Sequence, residues 1–180
     1  PRANLQIYVN TFSSQEQIFA VKIINYESSD LNLSDFSIKV WLYESGIENM
    51  AMFNNGSGWI HTSEGTDSNA NNFQGSITRG YLSEECISDS GHKANQYVIF
   101  NFSGTIQIPG NGGYFYTQSD TLKFGRNNPA MDGYNWNDDY SHVPTGTWAD
   151  TKYYALYYRG VLVNETINTD GNADPNTGVP

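Results

Sequence analysis

A single cysteine, Cys86, stands in 180 residues, so no disulfide can close within the chain and no cluster of thiolates can hold a metal. Positive charge is scarce too. Nine Lys and Arg face nineteen Asp and Glu, a formal charge of −10, which repels phosphate backbones and anionic membrane surfaces. Nucleic acid is therefore excluded as a partner. No run approaches the ~18 apolar residues that a spanning helix needs, so no membrane insertion is expected. The start, Pro1-Arg2-Ala3, carries no signal-peptide pattern, and the chain reads as a domain of a longer protein with any export signal elsewhere. Amphipathic helix is missing as well: no window of about 11 residues holds apolar positions at helical spacing free of Gly and strand formers.

What the chain does have is turn formers and aromatics. Asn, Gly, Ser and Thr make up more than a third of it, and aromatics reach 14%, so the polar residues coat a folded body. Its length suits one domain able to bury a core. Period-two alternation recurs at Leu5 to Val9, Ile18 to Ile24 and Phe36 to Tyr43. Further strand candidates are Gly75 to Tyr81, Gln96 to Phe102, Gly113 to Lys123 and Tyr153 to Val163. Short strands broken by Gly, Pro, Asn and Ser predict an all-β, two-sheet sandwich. Two polar stretches exceed ordinary connections: Asn54 to Asn72, around Trp59, and Arg126 to Thr147, rich in Asn and Asp. The strand pattern stops near residue 168, giving a domain over 1–168 and a linker or tail over 169–180.

Catalytic constellations are hard to assemble from these residues. Glu84-Glu85 and Asp138-Asp139 are adjacent pairs, and neighbours on a strand point to opposite faces, which defeats the two-carboxylate geometry of glycoside hydrolysis. Glu84-Glu85 reads as solvated loop acids. The three histidines, His61, His92 and His142, sit in polar segments without a Gly-x-Ser-x-Gly elbow or metal spacing. No enzyme is expected. Asn135, Asp138 and Asp139 place oxygen donors within five residues, suited either to a hard cation such as calcium or to an ordinary Asx-rich turn. Trp59, in a polar stretch that does not demand its burial, reads either as a platform for a sugar ring or as the anchor of its own loop. Trp41 and Trp148, in or next to strand patterns, read as core.

Several of these segments resemble one family. Asn4-Leu5 opening a strand, the run Ile24-Asn25-Tyr26-Glu27-Ser28-Ser29-Asp30-Leu31-Asn32-Leu33-Ser34-Asp35-Phe36, the segment Tyr134-Asn135-Trp136-Asn137-Asp138-Asp139-Tyr140-Ser141 and Gly160-Val161-Leu162-Val163 are similar to family-3 carbohydrate-binding modules, the cellulose-binding modules of scaffoldins and cellulases. The resemblance spans residues 4 to about 165 and implies a nine-stranded antiparallel jelly-roll β-sandwich. It also implies a structural calcium held by Tyr43, Ser45, Asn135, Asp138 and Asp139, with Ser45 where the family has an Asp. The family's flat binding strip of an Asp-His pair, a Tyr, an Arg and a Trp aligns with Asn55-Gly56, Lys123 and Pro129, with Thr121 beside Lys123 and Tyr140 bordering the face. Most of the strip is thus replaced, and Trp59 is the aromatic expected to stand in. The implied role is a non-catalytic, monomeric module that carries a larger extracellular protein to cellulose or a related β-glucan. The alternative is a strip-deficient accessory packed against a glycoside hydrolase catalytic domain.

Overall fold

The computed structural model describes residues 1–9, 16–43, 50–54, 58–71, 73–87, 93–117, 122–126, 148–150 and 154–164. Within them the chain is almost wholly strand. The only helical turn among them is a single 3-10 turn at Leu33–Asp35.

Antiparallel strands build two main sheets. The larger orders β13 (Ala149–Asp150), β1 (Ala3–Val9), β2 (Glu16–Asn25), β11 (Gly113–Thr117), β6 (Gly58–His61) and β7 (Asp67–Asn69). Two further strands, β12 (Leu122–Arg126) and β5 (Met50–Asn54), join it through β2. The smaller sheet orders β15 (Val161–Leu162), β14 (Tyr154–Tyr158), β4 (Phe36–Leu42), β9 (Lys93–Ser103) and β8 (Gln74–Ile87). A short pair, β3 (Leu31–Asn32) with β10 (Gln107–Ile108), completes the set.

Alternation puts the core between the two sheets. Leu5, Ile7, Phe19, Val21, Ile23 and Phe115 come from the larger sheet; Phe36, Ile38, Val40, Val98, Phe100, Tyr154 and Leu156 come from the smaller. The aromatic members meet edge to face, Phe19 with Phe100 at 5.3 Å and Phe73 with Phe115 at 5.2 Å between centroids, the arrangement that ring quadrupoles favour. Trp41 is also fully buried, but on the outer side of the smaller sheet, with Ala94 and Ala155 beneath Leu82, Tyr97 and Tyr157.

Buried amides tie the turns to this frame. Asn25 donates from Nδ2 to the carbonyls of Ser29 (2.9 Å) and Ile108 (3.0 Å), while its Oδ1 accepts from the Glu27 N–H at 2.9 Å. Asn164 closes the β14–β15 hairpin in the same way, donating to Tyr154 O and accepting from Leu156 N–H. Both satisfy backbone groups that would otherwise be buried unpaired. Asn111 and Gly112, both at positive φ, make the turn that feeds β11 into the larger sheet.

Several sequence expectations change here. The all-β antiparallel sandwich stands; the described residues divide into fifteen strand segments, several of only two residues. The stretch from Asn54 to Asn72, expected to be one long loop, contains the β6–β7 hairpin. Its polar side chains fooled the composition argument because the outer half of an exposed two-stranded edge needs no apolar residues. Within the expected strand Gly113 to Lys123, the described residues form β11 and the start of β12, which pair with different ends of β2, while 118–121 lie outside the described residues. Glu84 and Glu85 lie on β8, where Glu85 faces Lys93 at 3.6 Å, and not in a loop.

Candidate functional site

The outer face of the larger sheet collects side chains that neither the core nor the turns use. Strand register fixes who stands beside whom: Gln6 on β1 opposes Lys22 on β2, Lys22 opposes Tyr116 on β11, Tyr116 opposes Trp59 on β6, and Trp59 opposes Asn69 on β7. A second row runs parallel through Asn4, Ile24, Tyr114, His61 and Asp67. Five strands about 4.8 Å apart make each row roughly 19 Å long.

The rings touch across strands. Trp59 stacks on Tyr116 with centroids 5.6 Å apart and planes at 21°, and His61 stacks on Tyr114 at 4.6 Å and 17°. On the other side of β11 the Lys22 ammonium lies 4.8 Å from the Tyr114 centroid and 4.6 Å from that of Trp148. Trp148 in turn leans on Tyr8 at 5.9 Å. Trp148, expected in the core, is instead half-buried on this face, because it precedes β13 at the sheet's edge. Trp41 is fully buried, as expected, but in a second cluster on the outer side of the smaller sheet.

Polar groups hold the rings in place. Asp67 Oδ1 is 2.9 Å from His61 Nδ1, and the Tyr116 hydroxyl also bonds to the Asp67 carboxylate. At the opposite edge Asn4 and Gln6 donate to Asp150 Oδ1 at 2.8 and 3.3 Å. Burial pushes the Tyr114 and Tyr116 phenols above the ordinary tyrosine value, and the negative charge of Asp67 pushes them further. Burial between rings lowers the Lys22 ammonium below the ordinary lysine value. Both directions follow from desolvation, which disfavours whichever form is charged.

Of the residues singled out from sequence, Trp59 sits on β6 within this face, on a strand and not in a loop. Lys123 belongs to β12 of the same sheet, paired with Ile18 on β2 and Phe53 on β5. Tyr43 follows β4, with the Lys93 ammonium 5.1 Å from its ring centroid. Asn55, Thr121, Tyr140, Ser45, Asn135, Asp138 and Asp139 lie outside the described residues. Among the described residues no group of three His, Cys, Asp or Glu is placed to hold a metal ion. Sequence reasoning missed Tyr8, Lys22, His61, Tyr114 and Tyr116. One signal was present: Tyr114-Phe115-Tyr116 puts large aromatics at both outward positions of a short strand, where polar residues are usual.

The smaller sheet has an outer feature of its own, an open depression of about 500 Å³ bordered by Ser37, Lys39, Ile99, Tyr157, Gly160 and Leu162. Beside it Val161 is 66% exposed.

A model of the cellulose binding domain family matches residues 4–164. A search of curated protein sequences found no match. Among solved structures, the chain is similar to the CBM3a-L domain with flanking linkers from scaffoldin CipA of the Clostridium thermocellum cellulosome, at 19% identity and a TM-score of 0.74, covering 99% of this chain and 95% of that one. A family IIIa cellulose-binding domain from Clostridium cellulolyticum follows at 17% identity and 0.67, covering 90% and 94%. The module CBM3b of cellobiohydrolase 9A from Clostridium thermocellum follows at 17% and 0.62, covering 91% and 95%. With the family match running from the start of β1 to the residue that closes the β14–β15 hairpin, the chain belongs to the family-3 cellulose binding domains and is a non-catalytic carbohydrate-binding module.

Proposed function

We propose that this module binds cellulose or a related β-glucan across the outer face of the larger sheet, and that it carries a larger extracellular protein to plant cell-wall polysaccharide. The observation that supports this most is the continuous row Gln6, Lys22, Tyr116, Trp59 and Asn69, in which a stacked pair of aromatic rings is flanked on both sides by hydrogen-bonding groups across five strands. Sugar chains offer hydroxyl edges beside apolar C–H surface, and such a row meets them with hydrogen-bonding groups beside aromatic ring edges. The accessory reading rested on loss of the family's binding strip, and the presence of Trp59, Tyr114 and Tyr116 on this face favours direct binding.

The test is depletion from solution by phosphoric-acid-swollen cellulose, with reducing-sugar release measured in the same tubes. Depletion without sugar release is expected. Trp59→Ala should lose most of it while melting within a few degrees of the parent, since the Trp59–Tyr116 contact contributes only about 1 kcal/mol beyond area burial. Unchanged depletion by the variant would move the site elsewhere, and sugar release would overturn the non-catalytic role.

Calcium belongs to the same proposal. Asn135, Asp138 and Asp139 supply hard oxygen donors, with the Tyr43 carbonyl and Ser45 completing the set, and such a cation would cross-link two separate segments of chain. With Ser in place of a carboxylate the site holds less charge, so its affinity is expected to be modest. Chelator should lower the melting temperature and added calcium restore it; identical melts in both would remove calcium from the account.

A further inference from the structure

Resting on the glucan-binding reading above, we infer that the outer face of the larger sheet takes single, hydrated glucan chains, as in swollen cellulose or soluble β-glucan, and not the flat surface of crystalline cellulose.

The inference comes from how the rings are set. Non-bonded carbons approach to roughly 3.5 Å, so two rings lying side by side in one plane need centroids about 6 Å apart or more. His61 with Tyr114 at 4.6 Å and Trp59 with Tyr116 at 5.6 Å are both closer, and both pairs are close to parallel. Their faces therefore overlap. Each pair occupies directly opposed positions on β6 and β11, where side chains leave the sheet side by side, so the overlap runs from strand to strand and the ring planes stand off the sheet. Tyr114 has His61 against it from β6 and the Lys22 ammonium over its ring from β2, the strand on the other side of β11. Lys22 lies over the Trp148 ring as well.

Faces used this way are not open to a ligand above the sheet. What points outward is a comb of ring edges and polar tips: the phenol of Tyr114, the indole edge of Trp59, the ammonium of Lys22, and the carboxylate of Asp67 with its two partners. A crystal surface offers flat pyranose faces, whose hydroxyls are spent on neighbouring chains, and it is matched by coplanar ring faces. A separate chain offers its equatorial hydroxyls, which match donors and acceptors set along a line. The Asp67 carboxylate and the Lys22 ammonium bring opposite charges to the face, which favours a neutral polyol over an anionic chain, in keeping with the net charge of −10.

The experiment compares depletion by microcrystalline cellulose, depletion by phosphoric-acid-swollen cellulose, and retardation in gels containing soluble mixed-linkage β-glucan. Binding to the swollen and soluble forms with at least about tenfold weaker binding to the microcrystalline form is expected. Equal or tighter binding to the microcrystalline form, per accessible surface, would overturn the inference and leave the glucan-binding reading intact. Binding to none of the three would overturn that reading itself. Lys22→Met keeps the alkyl stem and the rings but removes the ammonium. It should weaken retention on swollen cellulose about tenfold with an unchanged far-ultraviolet circular dichroism spectrum. Full retention by this folded variant would show that ring faces, not polar tips, carry the contact.

Discussion

Asp67 holds two side chains at once, the His61 imidazole at 2.9 Å and the Tyr116 hydroxyl, and this makes it the residue on which the geometry of the face turns. Its negative charge and its hydrogen bond both resist ionisation of Tyr116, on top of burial, which is the larger cause. Asp67→Asn should therefore lower the midpoint at which the Tyr116 phenol ionises, read as the difference in tyrosinate absorbance between variants with and without Tyr116→Phe; an unmoved midpoint would mean that burial alone sets it. The sign for stability follows. A phenol whose folded pKa is raised stabilises the fold below the ordinary tyrosine value of about 10, and that stability is lost as pH rises through the folded value. Lys22 acts in the opposite sense. Its lowered pKa means that stability rises with pH from the folded value up to the ordinary lysine value near 10.4. The windows overlap, so a single stability curve would blur them, and the site-specific titration is the sharper test.

At the scale of elements, the β6–β7 hairpin and the turn before β11 position most of the face, and here sequence and structure parted. Trp59 was legible as a binding candidate from its polar surroundings, but its companions were not. They lie on β11, far along the chain, and only the register of Tyr116 opposite Trp59 brings them together. A one-residue slip would turn Tyr114 and Tyr116 inward and Phe115 outward. Nothing local in the residue pattern fixes that choice; the buried Phe115 against Phe73 and Phe102 does. Asn25, the last residue of β2, helps to fix the register through its side chain, because it bonds the turn after β2 to the end of β10, a few residues ahead of β11. Replacing it with Ala leaves two carbonyls and one N–H without their partner, and should cost about 1–3 kcal/mol. Chemical denaturation measures that loss, and a change within experimental error would show that water satisfies the turn instead.

Across the whole molecule the sandwich was readable from alternation alone, since Leu5 and Ile7, then Phe19, Val21 and Ile23, then Phe36, Ile38, Val40 and Leu42 fall where the core lies. Which sheet would carry the site was not, because both sheets have polar outer faces broken by aromatics: Trp59, Tyr114 and Tyr116 on one, Tyr97 and Tyr157 around Lys39 on the other. The difference is in continuity. The larger sheet offers an unbroken row from Gln6 to Asn69, while on the smaller sheet Trp41 is sunk beneath Tyr97 and Tyr157. The central claim is that the larger sheet's outer face binds glucan, and the most direct measurement is depletion by swollen cellulose of two variants side by side, Trp59→Ala with Tyr116→Ala on the larger sheet and Tyr157→Ala on the smaller. The account predicts loss of binding in the first and binding equal to the parent in the second, with both folded by circular dichroism. Loss in the Tyr157 variant with retention in the Trp59 and Tyr116 variant would contradict it.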